Sequence, residues 1–166
     1  MKKKFFVVFL FLATLFLIGC TQKIQEKATE KMVEDMTGGK VNLDLGGEKT
    51  QVETEFGTTQ IGENLKLPTD FPKDIYVIDG LIKSSYKNVG KNGWTISIET
   101  SKSIKEAGDL YDKNLTITGW KKDNFMDLGG AATASYSKDN RTISLMINVD
   151  PINHDKTLVM LGTSEN

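Results

Sequence analysis

Ile143, Leu145, Ile147 and Val149 occupy every second position, the most regular alternation in the chain. A period of two places all four on one face of a pleated strand, so this stretch must sit in a sheet whose one side is buried and whose other side is not. The same period recurs in Trp94, Ile96 and Ile98, separated by Thr95, Ser97 and Glu99, and again in Ala132, Ala134 and Tyr136. Parallel strands buried on both faces read as continuous apolar runs instead, so the pattern selects an antiparallel sheet.

One helix interrupts these strands. Ser103-Ile104-Lys105-Glu106 matches a capping box, in which the hydroxyl accepts the amide three residues on and the glutamate returns to the cap amide. Behind it Ile104, Ala107, Tyr111 and Leu115 share a helical face. Gly108 costs nearly 1 kcal/mol relative to alanine, unless a close approach to the sheet uses the missing side chain. The helix is expected to end near Asn114, with Thr116 to Leu128 extended and Gly129-Gly130 turning. Ile75 to Val89 reads as extended, with Gly80 as a bulge or bend, and Asn88 to Gly93 as turn. Lys138 to Arg141 reads as a tight turn, Asp150 to Asp155 as a loop, and Lys156 to Leu161 as the last strand. Residues 74–162 therefore form an α+β domain of order β-β-α-β-β-β: an antiparallel sheet covered on one face by a helix, its other face wet. Residues 163–166 are expected to be a tail.

Upstream the signals are weaker. Val41, Leu43 and Leu45 alternate with Asn42 and Asp44, Gly46-Gly47 turn the chain, and Val52, Thr54 and Phe56 return. Residues 40–62 thus read as a small β-hairpin with a short third strand near Thr58 to Ile61. A two-stranded ribbon is marginal alone, so it must lean on a neighbour. Residues 63–73, ENLKLPTDFPK, hold Pro68 and Pro72 and read as a linker. In residues 22–37 Ile24, Ala28, Met32 and Met36 form one apolar stripe, and Gly38-Gly39 stop the run. Residues 20–39 are therefore expected to be a tether and an amphipathic helix.

The chain opens on Met1-Lys2-Lys3-Lys4, followed by an apolar stretch from Phe5 to Ile18. A charged start, an apolar middle and a small residue at the end make a secretory signal, here residues 1–19. About 20 apolar residues are needed to span a bilayer, and this run stops short of that. Leu17-Ile18-Gly19-Cys20 resembles the lipobox of bacterial lipoproteins. The resemblance implies cleavage before Cys20 and a diacylglyceryl group on its thiol, with acyl chains of the palmitate class. Two such chains suffice for durable attachment where one does not. It further implies a place on the extracytoplasmic face of the cell membrane or outer membrane. Cleavage removes three lysines, leaving 18 basic residues against 22 acidic ones.

The rest of the mature chain is similar to small bacterial lipoproteins and secreted proteins in which a proline-containing segment precedes a strand pair, a Ser-capped helix, a Gly-Trp step and antiparallel strands. Leu67-Pro68, Phe71-Pro72, Tyr111 and Gly119-Trp120 carry that likeness. No activity or site residue comes with it.

Catalytic groups are sparse. Cys20 is the single cysteine and His154 the single histidine, which excludes an internal disulfide and a multi-Cys/His zinc site. His154, beside Asp150 and Asp155, reads as a solvated loop residue. Glu53 with Glu55 and Asp109 with Asp112 are neighbouring carboxylates on one strand face and one helix face. They are the pairs that a glycan hydrolase would need. Arg141 is the sole arginine, and 21 Lys+Arg balance 22 Asp+Glu, which excludes a basic nucleic-acid footprint. Lys121-Lys122 read as a solvated strand edge, and the Trp and Tyr residues as core. No cofactor or metal is expected. The sequence therefore reads as a lipid-anchored, non-enzymatic envelope protein that binds or scaffolds an envelope protein or glycan. The alternatives are a weak envelope glycan hydrolase and an assembly subunit of an envelope complex.

Overall fold

A computed structural model describes Lys27, Lys31, Met32, Glu34, Asp35 and residues 40–43, 49–54, 57–88, 90 and 92–165. The signal segment, Cys20 and most of the expected 22–37 helix lie outside the described residues. So do the Gly46-Gly47 turn, Glu55 and Phe56. Lys27, Lys31, Met32, Glu34 and Asp35 are helical. No helix among the described residues is long and apolar enough to cross a membrane.

The strands are β1 (Lys40–Leu43), β2 (Lys49–Thr54), β3 (Gly57–Leu65), β4 (Leu81–Asn88), β5 (Gly93–Thr100), β6 (Lys121–Asp127), β7 (Ala131–Lys138), β8 (Arg141–Val149) and β9 (Thr157–Glu165). One helix, α1 (Ile104–Ile117), lies between β5 and β6. All nine strands join one sheet in the order β1-β2-β3-β4-β5-β9-β8-β7-β6, each pairing antiparallel. Five strands run as a meander. α1 then carries the chain to the far edge, and a second meander returns to insert β9 beside β5. The α+β class and the covering helix follow the expectation from sequence, but four strands come after α1 where the order β-β-α-β-β-β allowed three.

The expected core face is the buried one. Ile96 pairs with Leu161, Leu161 with Leu145, and Leu145 with Ala134, so one row crosses four strands on the same side. Ile96, Leu161, Ala107, Tyr111 and Leu115 are fully buried. The aromatic reading holds for Trp94, Trp120, Tyr111 and Tyr136, which are core residues, and Tyr76 packs against them, but Tyr86 is half-buried and outside the core.

Several boundaries differ from expectation, each for a long-range reason. The small hairpin region leans on a neighbour by continuing the sheet, because β3 pairs with β4 from Gly57–Asn88 to Leu65–Ile82. Gly57 permits this, since a Cβ there would run into the carbonyl of Lys87. Residues 63–73 do not act as an open linker. Phe71 N–H donates to the Pro68 carbonyl at 3.1 Å and Ile75 N–H to that of Pro72 at 3.3 Å, so two turns fold the segment onto the sheet. Phe71, Ile75 and Ile78 are buried there. Residues 66–80 are accordingly a strap across the core, and the strand expected from Ile75 begins only at Leu81. A bend falls at Gly80 as expected, and a bulge follows between Ile82 and Ser84.

At its start α1 has the expected capping box: Glu106 N–H donates to Ser103 Oγ at 3.3 Å, and Ser103 N–H to Glu106 Oε2 at 2.9 Å. Its end lies beyond Asn114. Trp120 N–H reaches the Leu115 carbonyl at 3.0 Å and Gly119 N–H that of Thr116 at 3.0 Å, a Schellman motif with Gly119 at φ 87°. The hydroxyl of Thr118 also caps, donating to the carbonyl of Leu115 at 3.0 Å. β9 runs on to Glu165, so most of the expected tail is strand. Lying between β5 and β8, it is paired on both sides.

Candidate binding cleft

α1 packs against β6, β7 and β8, and the strap covers β4 and β5 next to it. Leu65 of β3 still joins this core, whereas Gln51, Thr58 and Gln60 on the same face of β2 and β3 are half-buried. There the inward positions change from apolar to polar. Register places Gln51 opposite Gln60 and Glu53 opposite Thr58, then Gln60 opposite Ser85 and Thr58 opposite Lys87, with Lys87 opposite Trp94. Thr58, Gln60, Ser85, Lys87 and Trp94 form a floor, and Pro68, Thr69 and Asp70 of the strap form a wall. The cleft between them holds about 310 Å³.

Its hydrogen bonding is organised. Gln60 Nε2 donates to Gln51 Oε1 at 3.0 Å, and Gln51 Nε2 donates to Glu53 Oε1 at 2.7 Å. This amide chain fixes which way each side chain points. Lys87 Nζ pairs with Asp70 Oδ2 across the mouth and lies 5.4 Å from the centre of the Trp94 ring. That ammonium, bonded to Asp70, holds its carboxyl below the usual carboxylate range. Trp94 is steadied beneath by Phe71, edge to face at 6.2 Å. The result is a cleft of hydroxyls and amides whose one internal ion pair is self-neutralised.

The residues singled out from sequence are scattered. His154 is exposed and lines a different groove, with Ser103, Glu106 and Lys156. Its neighbour Asp150 accepts the amides of Ile152 at 2.8 Å and Asn153 at 3.0 Å, which holds its carboxyl low. Asp109 pairs with Lys105 at 2.6 Å and Asp112 with Lys122 at 2.8 Å, so the two helix carboxylates serve different lysines. Tyr136 lies beside Asp112, its hydroxyl at 3.5 Å, and burial with that carboxylate pushes the phenol up to about 12. Lys121 and Lys122 are exposed on β6, an edge strand as expected. Glu53 is exposed on β2, and its partner Glu55 lies outside the described residues. Among the described residues no three His, Cys, Asp or Glu side chains gather as a metal ligand set.

Arg141 has a structural task. Its guanidinium lies 5.0 Å over the Trp120 ring and grips Asp74 of the strap. Lys138 adds a third contact to Asp74 at 3.1 Å, and Trp120 Nε1 donates to the Asp74 carbonyl at 3.4 Å.

Sequence reasoning missed the cleft. The available signal was the pairing of amides and hydroxyls at alternate positions, Gln51 with Glu53 and Thr58 with Gln60, in strands with few apolar residues. Comparison with protein-family models, curated proteins and solved structures found no match for this chain.

Proposed function

We propose that this chain is a bacterial lipoprotein, held by acylated Cys20 on the outer side of the cell membrane or at the outer membrane. Its sheet binds an uncharged, hydroxyl- and amide-bearing envelope glycan and performs no catalysis. The observation that carries the binding reading is the run of Gln51, Gln60 and Thr58, half-buried on the inner face of β2 and β3 beside the strap. Side-chain amides and hydroxyls both donate and accept, which suits sugar hydroxyls and acetamido groups. Trp94, a core residue, lines the cleft floor with the small part of its surface that is exposed, an apolar contact for a sugar edge. The placement at a membrane rests on Leu17-Ile18-Gly19-Cys20 following the apolar run.

The test is titration of the purified full chain in detergent with an N-acetylglucosamine tetrasaccharide, followed by tryptophan fluorescence and calorimetry. A saturable change is expected, weakened at least tenfold by Gln60→Leu at unchanged melting temperature. No heat and no spectral change at millimolar sugar would overturn the glycan reading.

A further inference from the structure

Among the described residues nothing covers the face of the sheet opposite α1, and its chemistry is uneven. One row crosses it in register from Met126 through Thr133, Met146, Met160, Ser97 and Ser84 to Ile61. Met126, Met146 and Met160 are 50%, 49% and 41% exposed, and Ile61 is 55% exposed. Large apolar side chains at such exposure, aligned rather than scattered, mark a surface that meets something. Among the residues that register places on this face in β7, β8, β9, β5 and β4, Glu99 is the one charged side chain. It lies in the end row, opposite Leu81 and Leu158. Lys83, in the bulge of β4, is 3.9 Å from Glu63. The chain as a whole is 26% charged, so a five-strand face with a single carboxylate departs sharply from its surroundings.

We infer that this face is the contact between two copies of the chain, stacked sheet on sheet. Three observations favour that occupant. First, a two-fold contact sets a patch against a copy of itself, residue i meeting j and j meeting i, so a net charge on the patch repels its copy. A face nearly free of charge carries no such penalty. Second, the size fits. Five strands about 4.8 Å apart and seven residues of about 3.3 Å each give roughly 550 Å² per copy and about 1,100 Å² for the pair, above the roughly 1,000 Å² that a specific interface must clear. Third, the other candidate occupants fit poorly. A lipid surface attracts basic residues and buries apolar ones, whereas this face has no Lys or Arg in its paired central positions and mixes serine and threonine with its methionines. Met32 of the chain's N-terminal helical stretch is 66% exposed, so that side chain is not spent on the sheet. Methionine adapts to an opposing surface without a fixed shape, which suits the centre of a contact between flat sheets. The inference stands apart from the cleft, which opens on the other face.

The test is photo-crosslinking of the full chain in bacterial cells, with a benzophenone amino acid at Ser144 on the bare face or at Lys113 on the exposed side of α1. Position 144 is expected to yield a species of twice the chain mass, with crosslinked peptides joining β7–β9 of two copies, and position 113 to yield none. Copies with light and heavy isotopes, mixed, must give hybrid peptides. Met146→Lys with Met160→Lys should cut the yield at least tenfold, and Ser97→Lys, which spares both methionines, should do the same if the double variant fails to accumulate. Absence of the double-mass species overturns the inference. So do adducts from position 144 to lipid, to residues 22–37 of the same copy or to another protein in its place.

Discussion

Arg141 grips Asp74 with both ends of its guanidinium, Nη1 to Oδ1 at 2.9 Å and Nη2 to Oδ2 at 2.6 Å, across 67 residues of chain. The pair ties the strap to the β7–β8 hairpin at the end of the core. Arg141 and Lys138 together hold the Asp74 carboxyl down to about 2, from an ordinary 3.8. A carboxylate whose folded value is depressed stabilises the fold above its unfolded value and loses that contribution as pH falls through the folded one. The clasp should therefore act fully above about pH 4 and fade towards pH 2. Asp74→Asn is expected to cost about 1–2 kcal/mol at pH 7, a figure already reduced for the third of the side chain that faces solvent. Urea unfolding of both proteins at pH 7, 4 and 2.5 checks this: the gap between them should close at the lowest pH.

The strap has a second fastening inside the core. Ile78 N–H donates to the phenol oxygen of Tyr111 at 3.4 Å, and the ring stands edge-on to Tyr76 at 5.3 Å. Tyr111 is fully buried, and burial drives its phenol well above the usual range. Tyr111→Phe keeps the ring contact and orphans the amide, which should cost about 1–2 kcal/mol. Hydrogen exchange gives the specific signature: protection at Ile78 should fall more than at the β5 and β9 amides.

The ends of α1 make separable contributions. Ser103→Ala removes the cap acceptor and should destabilise by about 1 kcal/mol. Gly119→Ala forces a side chain into a left-handed conformation and should cost about 1–2 kcal/mol. Thermal melts of the two variants and of their double variant should show near-additive losses, because the sites share no partner.

Lipidation makes its own prediction. Cys20→Ala should move the chain out of the acyl-labelled, detergent-extracted fraction, and globomycin should leave an uncleaved precursor in cells. Mass spectrometry of the native N-terminus supplies the readout. An N-terminus other than an acylated cysteine overturns the anchor.

The contrast between what was legible and what was not follows interaction range. In β5, β7 and β8 the apolar alternation identified both the strand and its buried face, because each of these strands has one wet side and one dry side. The capping box at Ser103 was legible for the same kind of reason, since its partners are three residues apart. The helix end was partly legible: Gly119 marks the left-handed position, but the weak helix formers Thr116 and Thr118 suggested an earlier stop. The cleft was not legible. Gln51, Gln60, Ser85 and Asp70 come from three strands and the strap, and their meeting depends on the β3–β4 pairing that no local pattern specifies.

Sequence alone therefore determined the elements with strong local periods, the α+β class, the core face of the central strands and the residues that cap the helix. Tertiary structure decided the rest. It made the proline segment a strap, because Phe71, Ile75 and Ile78 found an open core to fill. It extended β9 to Glu165, because a strand between two neighbours gains hydrogen bonds on both sides. It also joined the N-terminal strands to the sheet. Periodicity states which side of a segment avoids water; only the packed chain settles what lies against that side, and how far the cover extends.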